Sequence, residues 1–97
     1  MEKTYSPKGH SCKVTFDLPA NVGAKKVAVC GDFNGWNPMK TPMKKRKDGG
    51  FTVTLSLKPG AEYRFRYLVD GERWENDWEA DKYVPNEFGT EDSVIVV

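Results

Sequence analysis

The feature that most constrains the fold of this chain is an alternation of apolar and polar residues with a period of two. Apolar side chains occupy every second position from Cys12 to Leu18, from Phe51 to Leu57 and from Tyr63 to Val69. Alternate side chains of a β-strand point to opposite faces, so this pattern predicts strands that bury one face. No segment has the 3.6-residue period of a long helix, and turn residues recur at short intervals. The sequence therefore predicts an all-β sandwich or barrel of six or seven mostly antiparallel strands.

The turns between these segments suggest how the strands connect. Residues 26–31 (KVAVCG) form a further predicted strand with both faces largely apolar, and Val94 to Val97 forms the last one. The Pro59-Gly60 turn joins two alternating segments, which predicts that they pair as a hairpin over one core. We expect a single folding unit over residues 11–97, preceded by a loose amino-terminal segment at residues 1–10.

The charge balance indicates a neutral partner or one that is contacted locally. Lys and Arg number 15 against 14 Asp and Glu, so the formal net charge is +1. No overall field favours a nucleic acid or an acidic membrane, and neither is an expected partner. Basic runs also occur in proteins that bind single-stranded nucleic acid, but we interpret Lys44 to Lys47 as a solvated loop. No apolar run approaches the roughly 18 residues of a membrane span, and no signal peptide is visible, so a cytoplasmic protein is expected.

The two cysteines do not suggest redox or metal chemistry. Cys12 and Cys30 lie inside apolar stretches without a CxxC pair, and His10 is the single histidine. This favours buried thiols that pack as small hydrophobic side chains, with a disulfide between neighbouring strands as the alternative. Neither arrangement provides a nucleophile, and no cofactor or metal is expected.

The side of the sheet on which Trp74 lies depends on the turn before it. If the loop has three residues, Val69 to Gly71, Trp74 pairs with Arg66 and both side chains face solvent. If Asp70-Gly71 forms a two-residue type I′ turn, Trp74 pairs with Tyr67 and points into the core. The outward arrangement is favoured, because aromatic residues already supply the inner face of the preceding strand while its outer face needs a neighbour.

The other two tryptophans lie in predicted loops. Trp36, flanked by Gly35 and Asn37, can stack against the edge of the core or lie exposed, and the local sequence leaves both open. Trp78 has acidic neighbours that indicate a partly solvated ring. A pyranose ring has an apolar face of C–H groups and a rim of hydroxyls, so two exposed indoles around Arg66 would suit a curved chain of α-1,4-linked glucose.

Three motifs, in their order along the chain, resemble carbohydrate-binding module family 48. They are the G-x-F-N-x-W segment Gly31–Trp36, the Val69–Gly71 hairpin followed by Trp74, and the F-G-x-x-x-S-V segment Phe88–Val94. The resemblance runs from about Val27 to Val97. This family includes the early-set amino-terminal domains of isoamylases and glycogen branching enzymes and the glycogen-binding module of the AMP-activated kinase β subunit. The resemblance implies an immunoglobulin-like, early-set β-sandwich that binds α-glucan of the glycogen or starch type without catalysis.

The resemblance also implies a set of sugar-contacting residues. In this family they come from the tryptophan of the G-x-F-N-x-W loop, a basic residue before the hairpin, the tryptophan after it, and side chains near the last strand. The corresponding residues here are Trp36, Arg66, Trp74, Phe88, Thr90 and Asp92. Phe88 stands where leucine is usual. Asp92 stands where asparagine is usual, so a carboxylate that only accepts hydrogen bonds replaces an amide that donates and accepts. The hairpin is one residue longer before Trp74 than in the kinase module.

Two other classes of function fit parts of the sequence. Carboxylates are numerous between Glu72 and Asp81, but a glycosidase holds two of them across a cleft, which so small a sandwich does not offer. We interpret them as solvated charge, with a calcium site as the minor alternative, and expect no enzymatic activity, although such modules are fused to branching enzymes and glycoside hydrolases. Alternatively, Trp36 and Trp74 anchor a protein, such as a glycogen-metabolising enzyme, and the chain is a docking or regulatory module without glucan binding.

Overall fold

A computed structural model describes all 97 residues. The chain forms nine β-strands and two short 3-10 helices, joined by turns and loops. The strands are β1 (Glu2–Tyr5), β2 (Cys12–Leu18), β3 (Val27–Gly31), β4 (Lys44–Lys45), β5 (Phe51–Leu57), β6 (Glu62–Val69), β7 (Arg73–Glu75), β8 (Lys82–Pro85) and β9 (Glu91–Val96). The predicted all-β fold is confirmed. The strands exceed the predicted six or seven, because short strands such as β4 and β7 form in segments without an alternating pattern. No helix is long and apolar enough to cross a membrane.

The strands form two antiparallel sheets that enclose one core. The first sheet has the order β1-β2-β5-β4, and the second has the order β3-β6-β9-β8, with β7 also paired to β6. The sheets meet through aromatic side chains: the ring of Phe16 in β2 lies edge-on to that of Phe65 in β6, with centroids 5.1 Å apart. The alternation predicted for β2 and β6 is confirmed, because the residues at every second position are buried, including Cys12, Val14, Phe16, Leu18, Phe65, Tyr67 and Val69.

The predicted hairpin across Pro59-Gly60 is wrong. Strand β5 pairs with β2 and β4, whereas β6 pairs with β3, β7 and β9, so the turn carries the chain from one sheet to the other. Both strands still direct an apolar face towards the same core, from opposite sides. A period-two pattern shows which side chains of a strand are buried, but it does not show which other strand pairs with it.

The amino-terminal segment is ordered, in contrast to the loose segment expected at residues 1–10. Glu2–Tyr5 pairs antiparallel with β2 along the edge that β5 leaves free, in register from Glu2 with Thr15 to Tyr5 with Cys12. Its side chains are mostly polar because one face of an edge strand meets water, so apolar periodicity gave no signal for it. Side chains also tie it to the other sheet, since the Tyr5 hydroxyl donates to the carbonyl of Val97 at 2.8 Å.

The ion pair between Lys3 and Asp81 gives this edge strand a dependence on pH. Lys3 Nζ lies 2.6 Å from Asp81 Oδ2, which also accepts the backbone N–H of Val96 at 2.7 Å. Partial burial acts to raise the pKa of Asp81, but the hydrogen bonds from Lys3 and Val96 and the nearby positive charges outweigh it, so the pKa lies below its ordinary value. Because the folded-state pKa is lowered, the stability from this contact is present above the unfolded-state pKa and is lost as pH falls through the folded-state pKa.

We expect the Asp81→Asn variant to lose roughly 0.2–1 kcal/mol of unfolding free energy at pH 7, the range measured for ion pairs at protein surfaces. The difference from the wild type should shrink as the pH is lowered towards 2, because protonation of Asp81 removes its charge while Lys3 stays positive. Urea denaturation at the two pH values measures it. Lys3→Gln is the matched control, and a double-mutant cycle isolates the pair. An equal loss at both pH values would contradict an electrostatic role.

Both cysteines are buried and free, as the favoured interpretation of the sequence predicts. Cys12 lies in the core on β2, whereas Cys30 lies on β3 in the other sheet. Burial raises the pKa of the Cys30 thiol. A buried thiol with a raised pKa is poorly reactive, so Cys30 serves packing. Cys12 serves packing as a fully buried member of the core.

Candidate functional site

The outer face of the second sheet carries the predicted site. Because Phe65, Tyr67 and Val69 of β6 are buried in the core, the alternate side chains Arg64 and Arg66 project from the opposite face. Asp92 of β9 projects from the same face, since Arg64 pairs with Val94, two residues further along β9. The sheet therefore brings two arginines and one carboxylate together.

The β6–β7 hairpin places Trp74 on this outer face. Its loop has three residues, Asp70 to Glu72, and Leu68 pairs with Trp74. Asp70 and Gly71 both have positive φ, of 53° and 70°. The outward orientation of Trp74 is thus confirmed, and the two-residue alternative is wrong. The register also differs from the favoured prediction, since the loop is shifted by one residue and Trp74 lies opposite Leu68 instead of Arg66.

The carboxylate of Asp70 stabilises this loop. Its Oδ1 accepts the backbone N–H groups of Lys25 and Lys26, at 2.8 and 2.9 Å. These hydrogen bonds lower the pKa of Asp70 below its ordinary value. Asp70 therefore tolerates a left-handed backbone that few side chains adopt, because its contacts with the chain before β3 hold it there.

Trp36 is held by the loop that follows β3. A 3-10 helix at Asp32–Asn34 leads into Gly35 and then Trp36, whose own φ is +59°. A bulky residue with positive φ is strained and persists only where its surroundings fix it. Here the buried amide of Asn34 accepts the N–H of Gly31 at 3.1 Å and donates to the carbonyl of Val29 at 2.9 Å.

Asp32 connects this loop to β6. Its Oδ1 accepts the indole N–H of Trp36 at 3.1 Å, and its Oδ2 accepts the backbone N–H of Arg64 at 3.0 Å. Trp36 is half-buried, so the loop holds the edge of the ring and leaves part of its surface to solvent. The local sequence of Trp36 left its burial open, and these side-chain contacts decide it.

The two indoles meet across the outer face. The ring centroids of Trp36 and Trp74 are 6.3 Å apart, and the ring planes are inclined by 63°. Trp74 is 44% exposed, and the guanidinium carbon of Arg66 lies 5.5 Å from its ring centroid. This contact places a cation against an aromatic ring, an arrangement that favours a fixed orientation for both side chains. The result is a pair of splayed aromatic surfaces with a guanidinium beside them.

Asp92 forms ion pairs with both arginines of the outer face. Asp92 is only 5% exposed. Its Oδ1 lies 3.1 Å from Arg66 Nε, and its Oδ2 lies 3.6 Å from Arg64 Nη1. Asn86 Nδ2 also donates to Asp92 Oδ1 at 3.1 Å. The Arg66 contact is an ion pair without a well-directed hydrogen bond, because the buried Nε has no hydrogen-bond partner. Asp92 therefore neutralises and positions the guanidinium of Arg66.

The turn between β8 and β9 closes the other side of the site. Asn86 Oδ1 accepts the backbone N–H groups of Phe88 and Thr90, at 3.0 and 3.2 Å, and its Nδ2 donates to Thr90 Oγ1 at 2.8 Å. This leaves the ring of Phe88 at the tip of the turn, 77% exposed. An aromatic side chain in such a position gives an apolar surface at the margin of the site.

These elements enclose two adjoining open grooves. One, with a cavity volume of about 500 Å³, is lined by Trp36, Arg66, Trp74, Phe88 and Thr90. The other, of about 590 Å³, shares Trp36, Arg66 and Phe88 and adds Asp92 together with Arg64, Pro85, Asn86 and Glu87. We call the two together the indole groove. Every site residue that the resemblance implied lies in it, and Arg64 and Asn86 are lining residues that the sequence did not single out.

Comparison with known proteins agrees with this architecture. The family described as the glycogen recognition site of AMP-activated protein kinase matches residues 12–97. The chain belongs to this glycogen recognition family. The match covers every residue of the indole groove and every strand except β1, and leaves out only residues 1–11.

Individual relatives contain a similar segment within much longer proteins. A 1,4-alpha-glucan branching enzyme GlgB 2 of Xanthomonas campestris is 44% identical over 47 residues, which is 47% of this chain and 6% of the enzyme. The Protein PTST homolog 2, chloroplastic, of Arabidopsis thaliana is 32% identical over 76 residues, covering 76% of this chain and 13% of that protein. A branching enzyme GlgB of Cupriavidus pinatubonensis is 38% identical over 50 residues, 46% of this chain and 7% of the enzyme. The chain thus spans a small part of the length of these relatives.

Proposed function

We propose that this protein is a non-catalytic module that binds α-1,4-glucan, of the glycogen or starch type, in the indole groove. The observation that carries the proposal is the pair of indoles on the solvent side of the sheet, 6.3 Å apart and beside Arg66. A recognition family and an open groove both suit binding without catalysis. Of the two carboxylates that line the groove, Asp92 is buried and paired with two arginines, and it is not placed as an acid or base.

The geometry of the indoles suits the shape of an α-glucan. The apolar C–H face of a glucose ring stacks on an aromatic ring, and aromatic side chains provide most of the contact area in such sites. The inclination of 63° between Trp36 and Trp74 suits consecutive sugar rings of a curved α-1,4 chain better than a flat β-1,4 chain. Phe88 would cover a further sugar ring from the exposed tip of its turn.

Polar side chains in the groove would recognise hydroxyl groups. The terminal amino groups of Arg66 can donate to hydroxyl oxygens, with the rigid guanidinium oriented by Asp92 and by the Trp74 ring. Thr90 would offer its hydroxyl from the same side. The two arginines and the two carboxylates of the lining, Asp92 and Glu87, balance in charge, which suits a neutral ligand.

Asp92 serves as a positioning residue in this proposal. An asparagine at this place could both donate to and accept from a sugar hydroxyl, whereas a carboxylate only accepts. Both of its oxygens already face arginine nitrogens, and Asn86 donates to one of them. We assign to Asp92 the orientation of Arg66, and direct sugar contact to the five residues that line the groove above it.

An open groove implies weak binding to a single oligosaccharide. We expect dissociation constants from micromolar to millimolar, equivalent to roughly −8 to −4 kcal/mol. A polysaccharide offers many equivalent segments, so retention on glycogen should exceed what one segment gives. The wider setting is also a proposal: a cytoplasmic protein that brings α-glucan to a glycogen-metabolising enzyme.

Intrinsic tryptophan fluorescence tests the choice of sugar. Maltoheptaose or β-cyclodextrin should change the emission with a saturating curve, because a sugar stacked on Trp36 or Trp74 displaces water from the ring. Cellohexaose, which has the same sugar unit in a β-1,4 chain, is the matched control and should leave the emission unchanged. Equal responses to the two oligosaccharides, or no response to either, would overturn the α-glucan assignment.

A further inference from the structure

The third tryptophan, Trp78, lies outside the indole groove and is 73% exposed. It follows β7 and stands between two shallow cavities at the edge where the two sheets come together. One, of about 210 Å³, is lined by side chains that include Asp17, Pro19 and Arg46. The other, of about 170 Å³, includes Pro19, Arg73 and Glu75. Nothing in the glucan site described above uses this indole.

The backbone beneath Trp78 is firmly anchored by its neighbour Asp77. The buried carboxylate of Asp77 accepts the Tyr67 hydroxyl at 2.5 Å and the backbone N–H of Glu79 at 2.8 Å. The backbone N–H of Asp77 donates to Ser93 Oγ at 2.9 Å. Burial and the charge of Asp77 raise the pKa of Tyr67, so its hydroxyl stays a donor at all ordinary pH values. A large exposed ring on a fixed support is suited to binding, since little freedom remains to be lost when a ligand stacks on it.

The charged groups beside Trp78 include two ion pairs, and Asp77 and Glu79 add two carboxylates to the first cavity. Arg46 Nη1 lies 2.9 Å from Asp17 Oδ1 in the first cavity, and Arg73 Nε lies 2.9 Å from Glu75 Oε1 in the second. Planar arginine and carboxylate groups without an excess of positive charge, beside an exposed indole, suit a neutral, hydroxyl-rich ligand better than a polyanion. The indole groove also combines an ion pair with an indole, since Arg66 lies beside both Asp92 and Trp74.

Strand β7 separates the two surfaces. Arg73 and Glu75 flank Trp74 in this strand and point to its opposite face, so the Trp78 surface and the indole groove lie back to back. Trp78 lies four positions after Trp74, so their Cα atoms are at most about 14 Å apart. Two segments of a glucan could therefore be bound on the two sides of the strand by one molecule of protein.

We propose that Trp78, with the Arg46–Asp17 and Arg73–Glu75 pairs, forms a second platform for a separate segment of α-1,4-glucan. This inference rests on the proposed function. A second platform increases retention on a branched polysaccharide because the second contact becomes intramolecular once the first has formed. It adds little to the affinity for a short oligosaccharide, which occupies one platform at a time.

The three indole N–H groups provide one NMR signal for each tryptophan, which separates the two platforms in one titration. Signals of ¹⁵N-labelled protein are assigned with single Trp→Phe variants and followed during addition of maltoheptaose. We expect Trp36 and Trp74 to shift along one binding curve and Trp78 along another. In Trp74→Ala the Trp78 signal should still shift, with its midpoint changed less than twofold.

The outcomes distinguish this inference from the function on which it rests. If Trp36 and Trp74 shift while Trp78 does not, the second platform is overturned and the indole groove stands. If Trp78 shifts only with the midpoint of Trp74, and not in Trp74→Ala, there is one site and the second platform is again overturned. If no indole signal shifts, the proposed function itself fails.

Retention on glycogen gives an independent readout. We expect Trp78→Ala to weaken glycogen binding about tenfold through loss of avidity, while the midpoint for maltoheptaose at Trp36 and Trp74 changes less than twofold. Met39→Ala is the matched control, since Met39 is an exposed apolar side chain that lines neither platform. Glycogen retention of Trp78→Ala equal to that of Met39→Ala would contradict the second platform.

Discussion

Replacing Trp74 with alanine is expected to weaken maltoheptaose binding by about 10- to 100-fold while the sandwich stays folded. The substitution removes one of two stacking surfaces, and burying an aromatic side chain contributes about 1.5–3 kcal/mol, a factor of ten for each 1.4 kcal/mol. It also removes the ring against which Arg66 lies. Trp74 is 44% exposed and faces away from the core, so the loss of folding stability should be small. Isothermal titration calorimetry and thermal unfolding measure the two effects.

Two further variants sharpen this prediction. Trp74→Phe keeps an aromatic surface and should retain most of the affinity that Trp74→Ala loses. Leu68→Ala changes the side chain directly opposite Trp74 in the hairpin without removing a stacking surface, and should change the affinity much less. If Trp74→Ala failed to fold, Trp74 would have a structural role, and if it bound as tightly as the wild type, the glucan would lie elsewhere.

Asp92→Ala is expected to have the largest effect on stability among the residues of the site, about 3 kcal/mol of unfolding free energy. Removal of one partner from a buried ion pair costs about 3–5 kcal/mol, because the remaining charge is left without compensation. The lower end applies here, since Arg64 is partly exposed and only Arg66 is mostly buried. Maltoheptaose binding should also weaken, because Arg66 loses its support. Urea denaturation and calorimetry provide the two numbers.

Removal of both partners separates stability from recognition. The double variant Asp92→Ala/Arg66→Met should regain much of the stability lost in Asp92→Ala, since no buried charge remains, but should not regain glucan affinity. Asp92→Asn keeps an oxygen acceptor for Asn86 and should lose less stability than Asp92→Ala. Asp92→Ala with wild-type stability would show that the ion pair does not hold Arg66 in place.

The faces of the main strands could be predicted from the sequence because burial sets the period-two pattern. The inward side chains of β2 and β6 followed directly, and the crowding of the inner face of β6 led to the outward position of Trp74. The turn chemistry was less informative: Asp70-Gly71 fits loops of either length, and the register was misplaced by one residue. The face of Trp74 was predicted correctly because the favoured loop and the observed loop have the same number of residues.

Strand partners could not be predicted in the same way. The backbone hydrogen bonds between strands do not depend on which side chains the strands carry. The sequences of Phe51–Leu57 and Glu62–Val69 therefore do not show that the two strands belong to different sheets. The same limit applies to Glu2–Tyr5, a polar edge strand whose pairing depends on the free edge of β2. The pattern of polar and apolar residues shows which face of a strand is buried. Which strands pair depends on how the two sheets close around the core.

Most residues that line the indole groove could be identified from motifs in the sequence, whereas the residues that hold them in place could not. Asp32, Asn34 and Asn86 orient the ring of Trp36 and the turn that bears Phe88, through hydrogen bonds to groups that are brought together only by the fold. Asp77 supports Trp78 in the same manner, through Tyr67 and Ser93. Such contacts depend on side-chain geometry between distant segments, which composition and spacing do not describe.

Co-sedimentation with glycogen tests most directly whether the indole groove binds α-glucan. We expect the wild-type protein to sediment with glycogen and to be released by β-cyclodextrin, whereas Trp74→Ala should remain largely in the supernatant. Wild-type protein that stays in the supernatant, or Trp74→Ala that sediments to the same extent as the wild type, would contradict the assignment of this groove.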